Sequence, residues 1–288
     1  MPDLFTTATA RSAGLSRSML RGSSFVRLAH GLYVRLDDAI DVPERLAMLA
    51  TVLPDDSAFS HHTAAALLDA HVDFPPRAHV AVTPRRVLPQ HAGVLVHARR
   101  LQPRDVVLRR GLRVTSGAQT FLDLAALLPP AELVAVGDAL TRAGHLDDAR
   151  LTERLSRAGR VRGVVRARAC APLLDARSAS RPESLIRCWL VWSDLPDPEP
   201  QVPVHDRYGR IVAHGDLGYS RWKVLTEYEG AQHAERDQFG RDIDRYSLMA
   251  ADGHLVLRFA SPHLHGPETV VTRTRGALLS RGWRPGTS

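Results

Sequence analysis

The stretch His214–His233 reads HGDLGYSRWKVLTEYEGAQH and decides the fold of the last third of the chain. Apolar and polar residues alternate on both sides of Ser220–Lys223, and this alternation predicts two antiparallel strands joined by a short loop. Gly230 follows the second strand and lets the backbone turn sharply there. We therefore expect a β-hairpin that runs into a helix.

The register of this hairpin brings acidic side chains together. It places Asp216 opposite Glu227, with Glu229 further along the same face, and gives the other face to Leu217, Tyr219, Val224, Thr226 and Tyr228. Opposed Cβ atoms are roughly 5 Å apart, and residues two positions apart on a strand are roughly 7 Å apart. Like charges at that spacing repel by roughly a few kcal/mol unless a cation neutralises them. The pattern therefore predicts a site for Mg²⁺ or Mn²⁺ at Asp216, Glu227 and Glu229.

Such a cation polarises a phosphate and lowers the pKa of bound water, which is chemistry for hydrolysing phosphodiester bonds. Asp216 and Glu227 are the expected direct ligands, and Glu229 would orient or deprotonate the water or hold a second ion. His233 lies about one helical turn beyond the end of the strand, where it would protonate the leaving 3′-oxygen or contact a phosphate. The pattern thus favours an enzyme, a metal-dependent nuclease.

Several of these residues also have a structural interpretation. Ser180 and Glu183 form an S-x-x-E capping box at a helix start, which explains Glu183 without chemistry, although the same helix could aim the carboxylate at the hairpin. The acidic strand face could be solvated and paired with Arg241 and Arg245 of the following helix. If the strand face is solvated, the two arginines are counter-ions of the carboxylates. If the carboxylates bind a metal, the arginines hold DNA phosphates.

The composition is that of an ordinary globular protein, with 288 residues, 44% of them hydrophobic and 24% charged. No apolar run approaches the roughly 20 residues that span a bilayer, and the first residues lack the plan of a signal peptide. We therefore expect a cytoplasmic protein with no membrane partner. The net charge of +7 and the isoelectric point near 10.2 favour nucleic acid, DNA in particular, as the partner.

The first 36 residues predict a small winged helix-turn-helix. Thr6 or Thr7 caps a short helix that stops at Gly14, and Ser16 caps a second helix, SRSMLR. The segment SFVRLAHGLYVR then alternates as two strands about a central turn. In this motif the second helix enters a major groove, and the basic residues expected at DNA are Arg17, Arg21 and, on the hairpin, Arg27.

Residues 37–177 predict a mixed α/β region that ends in a basic connector. Helices are expected over Pro43–Leu53, Ser60–Leu68, Ser116–Leu127, Pro130–Ala143 and Asp147–Ala158, and strands over Ala78–Thr83 and Gly93–Ala98. The arginine-dense stretch 154–168, RLSRAGRVRGVVRAR, is either a basic face on DNA or a solvated connector. His61–His62 here and His263-x-His265 near the end lack a partner cluster at zinc-site spacing, so we expect surface or core histidines. Cys170 and Cys188 are expected to be buried.

Residues 178–288 predict an α/β unit of helix, three strands, helix, strand and helix. The helix that starts at Ser180 is expected to run to Trp192, with Leu185, Trp189 and Trp192 along one face. The remaining elements are expected at Gln201–His205, Arg210–Tyr219, Val224–Glu229, Arg236–Ala250, Leu255–Phe259 and Glu268–Arg281. The whole chain is therefore predicted to be of the α/β (α+β) class.

The span from Ser180 to about Arg258 resembles the PD-(D/E)XK nuclease superfamily, and more closely the Vsr-like (very-short-patch-repair-like) endonuclease-fold domains of actinobacteria. Their pattern is an S-x-x-E helix, a strand with Asp, a strand reading V-E-x-D-G-x-x-H and a helix with R-D-x-x-R. The corresponding residues here are Ser180–Glu183, Asp216, Glu227–Gly230 with His233, and Arg241–Asp242 with Arg245. The resemblance implies a restriction-endonuclease-like fold and catalytic roles for Glu183, Asp216, Glu227, Glu229 and His233.

This chain departs from the pattern at two positions. The superfamily lysine of E-x-K is replaced by Glu229, where the Vsr-like relatives usually have Asp, and Lys223 lies in the predicted loop. His214 stands where relatives often carry arginine. Both departures bear on catalysis rather than on the fold.

Residues 1–36, and more loosely 37–177, resemble the AbiEi-type antitoxin module of abortive-infection toxin–antitoxin systems. The phrases LFTTATARSAGLSRSMLR, GLYVR, SHHTAAALL and GLRVTSGAQTFLDLA carry that likeness. It implies DNA binding, and a cognate toxin or a second copy of the chain as further candidate partners. Two main hypotheses follow: a metal-dependent DNA endonuclease acting in defence, repair or mobile-element control, and an antitoxin-like transcriptional regulator with an inactive nuclease-fold domain. A nuclease acting on RNA is a third.

Overall fold

The computed structural model describes residues 4–22, 24–29, 31–35, 41–91, 93–230 and 236–286. Its α-helices are α1 Thr7–Ser12, α2 Val42–Ala50, α3 His61–Leu67, α4 Gly117–Leu124, α5 Pro130–Arg142, α6 Asp148–Arg157, α7 Val164–Cys170, α8 Arg181–Val191, α9 Arg236–Ala251 and α10 Pro267–Ser280. Its strands are β1 Leu4–Thr6, β2 Phe25–Ala29, β3 Leu32–Arg35, β4 Ala58–Phe59, β5 Ala78–Val82, β6 Val94–Ala98, β7 Val106–Arg109, β8 Leu112–Thr115, β9 Glu199–His205, β10 Ile211–Tyr219, β11 Val224–Glu229 and β12 Leu255–Ala260. The mixed α/β class predicted from the sequence is confirmed. No helix in the described part of the chain is long and apolar enough to cross a membrane.

The chain forms two compact units. Residues 1–127 and 143–164 make the first, and residues 128–142 and 165–288 make the second. The sequence predicted a middle region of residues 37–177. The structure instead groups α5 and residues 165–177 with the last third of the chain. One reason is a buried ion pair, in which the Arg187 guanidinium of α8 lies 2.7 Å from the Asp138 carboxylate of α5.

A three-stranded antiparallel sheet in the order β1-β3-β2 opens the first unit. Thr6 caps α1 as expected, in a reciprocal capping box with Thr9. The predicted second helix is wrong, because Met19–Arg21 forms a single 3₁₀ turn. The Ser16 hydroxyl does accept the expected capping hydrogen bond from the Met19 amide, 3.2 Å away, but the helical turn ends at Gly22, whose amide donates to the Met19 carbonyl.

The remainder of the first unit is built on a mixed five-stranded sheet in the order β6-β5-β4-β8-β7. β5 and β6 are parallel, and β4 lies antiparallel to β5. The predicted helices and strands of this region are present with ends shifted by a few residues. The short strand β4 and the hairpin of β7 and β8 were not predicted.

Arg154 and Arg157, in the first part of the arginine-dense stretch, point toward buried partners. Neither predicted role, a basic face on DNA or a solvated connector, applies to them. Arg154 is only 9% exposed, and its Nε donates to the Gln119 side chain at 2.6 Å. Arg157 pairs with the buried Asp105 at 2.7 Å. A buried carboxylate needs a cation or several donors, and these two arginines of α6 supply them.

The second unit has the predicted element order. Its sheet runs β12-β11-β10-β9, in which β11 and β12 are parallel and the other neighbours are antiparallel. One apolar cluster joins this sheet to α8 and α10, and its largest buried members are Tyr219, Phe259, Ile186, Leu190 and Trp283. A second, smaller cluster contains Val202, Val204, Leu225 and Met249, the last of which lies on α9. Both faces of the sheet are therefore covered.

Two smaller expectations have different outcomes. Cys170 and Cys188 are buried free thiols, as predicted. Trp192 does not share the buried face of α8, because the helix ends at Val191 and the Trp192 side chain is 47% exposed.

Candidate functional site

The hairpin of β10 and β11 has the predicted register. Leu217 pairs with Thr226 and Tyr219 pairs with Val224. Lys223 closes the loop with a left-handed backbone, φ 52°, and its ammonium lies 2.9 Å from the Asp252 carboxylate. Lys223 is therefore an element of the loop and not the lysine of an E-x-K motif.

Asp216 and Glu227 are interlocked across the two strands. The Asp216 amide donates to Glu227 Oε1 at 3.0 Å, and the Tyr228 amide donates to Asp216 Oδ2, also at 3.0 Å. The Glu227 side chain is completely buried, and Asp216 is half-buried. A Cβ at Gly215 would lie 2.8 Å from a Leu225 methyl and 3.3 Å from Glu227 Oε1. Glycine at position 215 is thus what allows the carboxylate to lie against the neighbouring strand.

Arg245 is the counter-ion of this pair. Its guanidinium lies 2.9 Å from Glu227 Oε2. The alternative of a solvated strand face is wrong for Glu227, which is buried, although the predicted pairing with Arg245 is present. Glu227 Oε2 and Arg245 Nε are both buried and neither makes a hydrogen bond within the described part of the chain. The ion pair therefore leaves the Arg245 Nε–H donor and part of the Glu227 carboxylate without a hydrogen bond in a region shielded from water.

Glu183 belongs to the start of α8 and caps it. Ser180 accepts from the Glu183 amide, while Glu183 Oε1 accepts from the Ser180 hydroxyl at 2.8 Å and Oε2 from the Ala179 amide at 2.9 Å. The predicted return bond to the Ser180 amide is therefore replaced by one to Ala179. The Glu183 residue is 7% exposed, so its carboxylate is held in place by its own helix.

The three carboxyl groups share one electrostatic environment, which we call the acidic cluster: Glu183, Asp216 and Glu227. Burial raises the pKa of all three, and the charge of Asp216 raises that of both glutamates further. The pKa of Glu227 rises to about 7, so burial and Asp216 outweigh the ion pair with Arg245, which acts in the other direction. Mutual repulsion in a desolvated site is the property expected of carboxylates that share a cation.

Glu229 is held by other partners. The Tyr246 hydroxyl donates to Glu229 Oε1 at 2.6 Å, and the Arg258 guanidinium of β12 pairs with the same carboxylate. The guanidinium also lies over the Tyr246 ring, 4.5 Å from its centroid. Glu229 is thus part of a surface triad with a cation of its own, and the structure does not bring it into the acidic cluster.

The remaining predicted residues divide into exposed and undescribed groups. Arg17 and Arg21 are exposed on the 3₁₀ turn and the residues before it. Arg27 lies on β2 and Arg241 on α9, but their side chains are outside the described part of the chain. His233 also lies outside the described residues.

The acidic cluster offers the chemistry that a hard divalent cation needs. Carboxylate oxygens are the ligands of Mg²⁺ and Mn²⁺, and the described partner of the buried Glu227 Oε2 is the Arg245 guanidinium, 2.9 Å away. The donor set therefore fits such an ion, with Arg245 as the present neutralising charge. Among the described residues, however, no three acidic side chains bring one oxygen each within 4.8 Å of one another.

A group of three metal-ligating side chains at that spacing occurs in the first unit. The group, which we call the histidine cluster, is His61, His79 and His97, and its ligand nitrogens all lie within 4.8 Å of one another. Burial lowers the pKa of His61 to about 2 and of His79 and His97 to about 4, so the three rings are uncharged at neutral pH. The sequence analysis missed it, because the three residues come from separate elements.

Comparison with known proteins gives relatives without a described activity. No family model matches the chain. Two proteins of Mycobacterium tuberculosis, named uncharacterized protein MT2308 (strain CDC 1551 / Oshkosh) and uncharacterized protein Rv2248 (strain ATCC 25618 / H37Rv), are each 26% identical over 242 residues, 83% of this chain and 86% of theirs. The crystal structure of the Rv2827c protein from the same species has a TM-score of 0.44 and 19% identity, covering 64% of this chain and 75% of that one. A likeness at that level says nothing further about the site.

Proposed function

We propose that the protein is a metal-dependent DNA endonuclease whose hydrolytic site is the acidic cluster. Residues 178–288 would then be a Vsr-like PD-(D/E)XK endonuclease-fold domain, and residues 1–36 an AbiEi-type module that contacts DNA. One observation carries the proposal: Glu227 is buried beside Asp216 with a pKa raised to about 7, and Glu183 shares the same field.

The acidic cluster lowers the stability of the fold. Burying carboxyl groups that repel one another lowers stability, and apolar residues on the same strands would avoid the cost. The sequence instead uses Gly215 to make room for Glu227 and a backbone amide to fix Asp216. Strain of this kind is characteristic of sites that bind or react.

The residues divide the work as follows. Asp216 and Glu227 would hold Mg²⁺ or Mn²⁺, and Glu183 would complete the acidic environment or accept a proton from water. A bound divalent cation supplies Lewis-acid polarisation of the scissile phosphate and a water of lowered pKa. Arg245, released from Glu227 by the cation's charge, would be available to a phosphate oxygen. Glu229 orients Arg258 in this account rather than binding the ion.

A regulatory function is the second candidate, and one observation favours it. The Arg245 guanidinium lies 2.9 Å from Glu227 Oε2 and neutralises the most buried member of the cluster without any metal. A nuclease-fold domain that had lost activity would be stabilised by such a pair. The chain would then be an AbiEi-like antitoxin or transcriptional repressor that binds DNA through its first unit.

Cleavage of plasmid and oligonucleotide DNA in the presence and absence of Mg²⁺ or Mn²⁺ separates the two. We expect metal-dependent nicking or cutting by the full chain, and at least about a 1,000-fold loss of rate in Asp216→Asn with a melting temperature no lower than that of the wild type, because a direct ligand is removed together with a charge that repels its neighbours. Asp194→Asn is the matched control, since Asp194 is an exposed aspartate of the same unit paired with Arg275.

Two results would contradict the enzyme. Cleavage that survives both EDTA and Asp216→Asn would come from another site or a contaminant. Absence of cleavage on DNA and RNA with either ion, together with tight binding to duplex DNA, would assign the regulatory function instead.

A further inference from the structure

The histidine cluster is assembled by the sheet of the first unit. β5 and β6 are parallel, and Ala81 pairs with His97, so His97 and His79 lie on the same face of neighbouring strands. β4 pairs with β5 on its other side, and α3 starts with His61 two residues after it. Two neighbouring strands and the start of α3 thus bring one imidazole each to a single place.

The rings are close enough to share one ion. His97 Nε2 lies 3.1 Å from His79 Nδ1, and the rings of His61 and His97 are stacked with centroids 3.8 Å apart. Two nitrogens bound to one tetrahedral Zn²⁺ are about 3.3 Å apart, since each Zn–N bond is about 2.0–2.1 Å. The ring planes are nearly parallel, with 25° between His61 and His97 and 19° between His79 and His97, so binding one ion requires the rings to turn until their nitrogen lone pairs converge.

Hydrogen bonds orient the His61 ring and fix the backbone that carries His79. His61 Nδ1 lies 2.9 Å from the buried Ser60 hydroxyl, which leaves Nε2 as its ligand atom. The His79 amide donates to the Thr63 hydroxyl at 2.9 Å, and the His79 carbonyl accepts from the Ser60 amide at 2.9 Å. His61 also has a left-handed backbone, φ 50°, a conformation that is unfavourable for a residue other than glycine.

Besides burial, two arginines act on the cluster: Arg77 lowers the pKa of His79, and Arg99, which is paired with a carboxylate, lowers the pKa of His61 and His97. Arg99 NH2 is 3.5 Å from His61 Nε2, and a lone guanidinium there would oppose a cation. Its Nε, however, donates to Asp123 Oδ1 at 2.7 Å, and the Asp123 side chain is fully buried. The pair has no net charge when both groups are ionised, and Asp123 Oδ2 is buried without a hydrogen bond in the described part of the chain.

We propose that His61, His79 and His97 form a binding site for a zinc-class divalent ion in the first unit. Three imidazoles suit Zn²⁺ and its borderline-soft neighbours Co²⁺, Ni²⁺ and Cu²⁺ rather than Mg²⁺. They leave a fourth position for water or a small anion on the side of His97, the most exposed of the three. His61 and His79, 1% and 8% exposed, make the site a rigid one that holds the β4, β5 and α3 junction together.

The test is direct titration of the full chain after treatment with a chelator. Zn²⁺ is added in competition with a chromophoric chelator, and Co²⁺ is added in a parallel experiment that records visible absorption. We expect one Zn²⁺ per chain with micromolar or tighter affinity, and intense Co²⁺ bands of a tetrahedral or five-coordinate site. His97→Gln should weaken Zn²⁺ binding at least about 100-fold, since even residues that only support metal ligands cost 10–100-fold.

His71→Asn is the matched control. His71 is an exposed histidine of the same unit with φ 52°, a backbone that asparagine also adopts, so this variant should bind Zn²⁺ as the wild type does. Equal affinity in wild type and His97→Gln would place the ion at other histidines or at the acidic cluster and overturn the proposal. Wild-type binding weaker than about 100 μM, or Co²⁺ bands of a six-coordinate ion, would overturn it even if His97→Gln failed to fold. The assay contains no DNA, so its outcome is independent of the nuclease proposal.

Discussion

The acidic cluster of the second unit and the histidine cluster of the first unit solve the burial of titratable groups in opposite ways. The acidic side chains repel one another, keep raised pKa values and need Arg245 as a counter-ion. The histidines avoid the problem by losing their charge, with pKa values lowered to between about 2 and about 4. The stabilities of the two units should therefore change with pH in opposite directions, because the folded acidic cluster binds more protons than the unfolded chain and the folded histidine cluster binds fewer.

Acidification should destabilise the first unit by the larger amount. The unfolded chain protonates its histidines near pH 6.5, whereas folded His61, His79 and His97 stay neutral to about pH 4 or below. The unfolded state therefore binds more protons in this window, and the stability present above pH 6.5 is lost as the pH falls. We expect a loss of about 2–4 kcal/mol between pH 6.5 and pH 4.5.

Hydrogen exchange of peptides that cover β4 to β6 measures this change, once corrected for the intrinsic pH dependence of exchange. His71→Asn should behave as the wild type. Protection that stays constant between pH 6.5 and pH 4.5 would show that the histidine rings are not desolvated. It would contradict the opposite pH dependence of the two units.

Raising the pH should destabilise the second unit by a smaller amount. Folded Glu227 holds its proton up to about pH 7, while the unfolded chain releases it near pH 4.5. The folded state thus binds more protons between these values, so stability falls as the pH rises through them and the loss is complete above about pH 7. We expect about 1–3 kcal/mol, and Glu227→Gln should remove most of this slope.

Tryptophan fluorescence during urea unfolding isolates this effect, because all four tryptophans lie in the second unit: Trp189, Trp192, Trp222 and Trp283. Glu268→Gln, at an exposed position in the first turn of α10, is the control and should keep the slope. A wild-type slope of the opposite sign would mean that Arg245 holds Glu227 ionised and that the cluster is an ordinary ion pair.

Glu229→Gln should have the smallest effect on metal-dependent cleavage. This variant tests whether Glu229 lies outside the acidic cluster. Because Glu229 is engaged with Tyr246 and Arg258, we expect its loss to lower metal-dependent cleavage by less than about 10-fold. Glu183→Gln should cost more, since Glu183 is coupled to Asp216. Equal large losses in both variants would return Glu229 to the metal site.

The two clusters also show what can be predicted from one sequence. Asp216 and Glu227 lie on one hairpin, and alternation of period two fixes their register from local residues alone. The histidine cluster depends on the order β6-β5-β4, in which non-neighbouring parts of the chain pair, and no local pattern encodes that order. The sequence therefore predicted that Asp216 and Glu227 come together in the first cluster, and it missed the second cluster.

Charged residues were harder to place than apolar ones for the same reason. Arg154 and Arg157 look like part of a basic stretch, but they are neutralised by Asp105, about 50 positions earlier in the chain. Glu229 looks like a third ligand, yet its partner Arg258 comes from the parallel strand β12. Long-range ion pairs decide which charges are available, and spacing along the chain does not reveal them.

Calorimetric titration of Mn²⁺ into the full chain at pH 7.5 measures whether the acidic cluster binds a divalent cation. We expect saturable binding that Asp216→Asn and Glu227→Gln each abolish and that Asp194→Asn leaves unchanged. A flat titration, or uptake that all three variants retain, would contradict it.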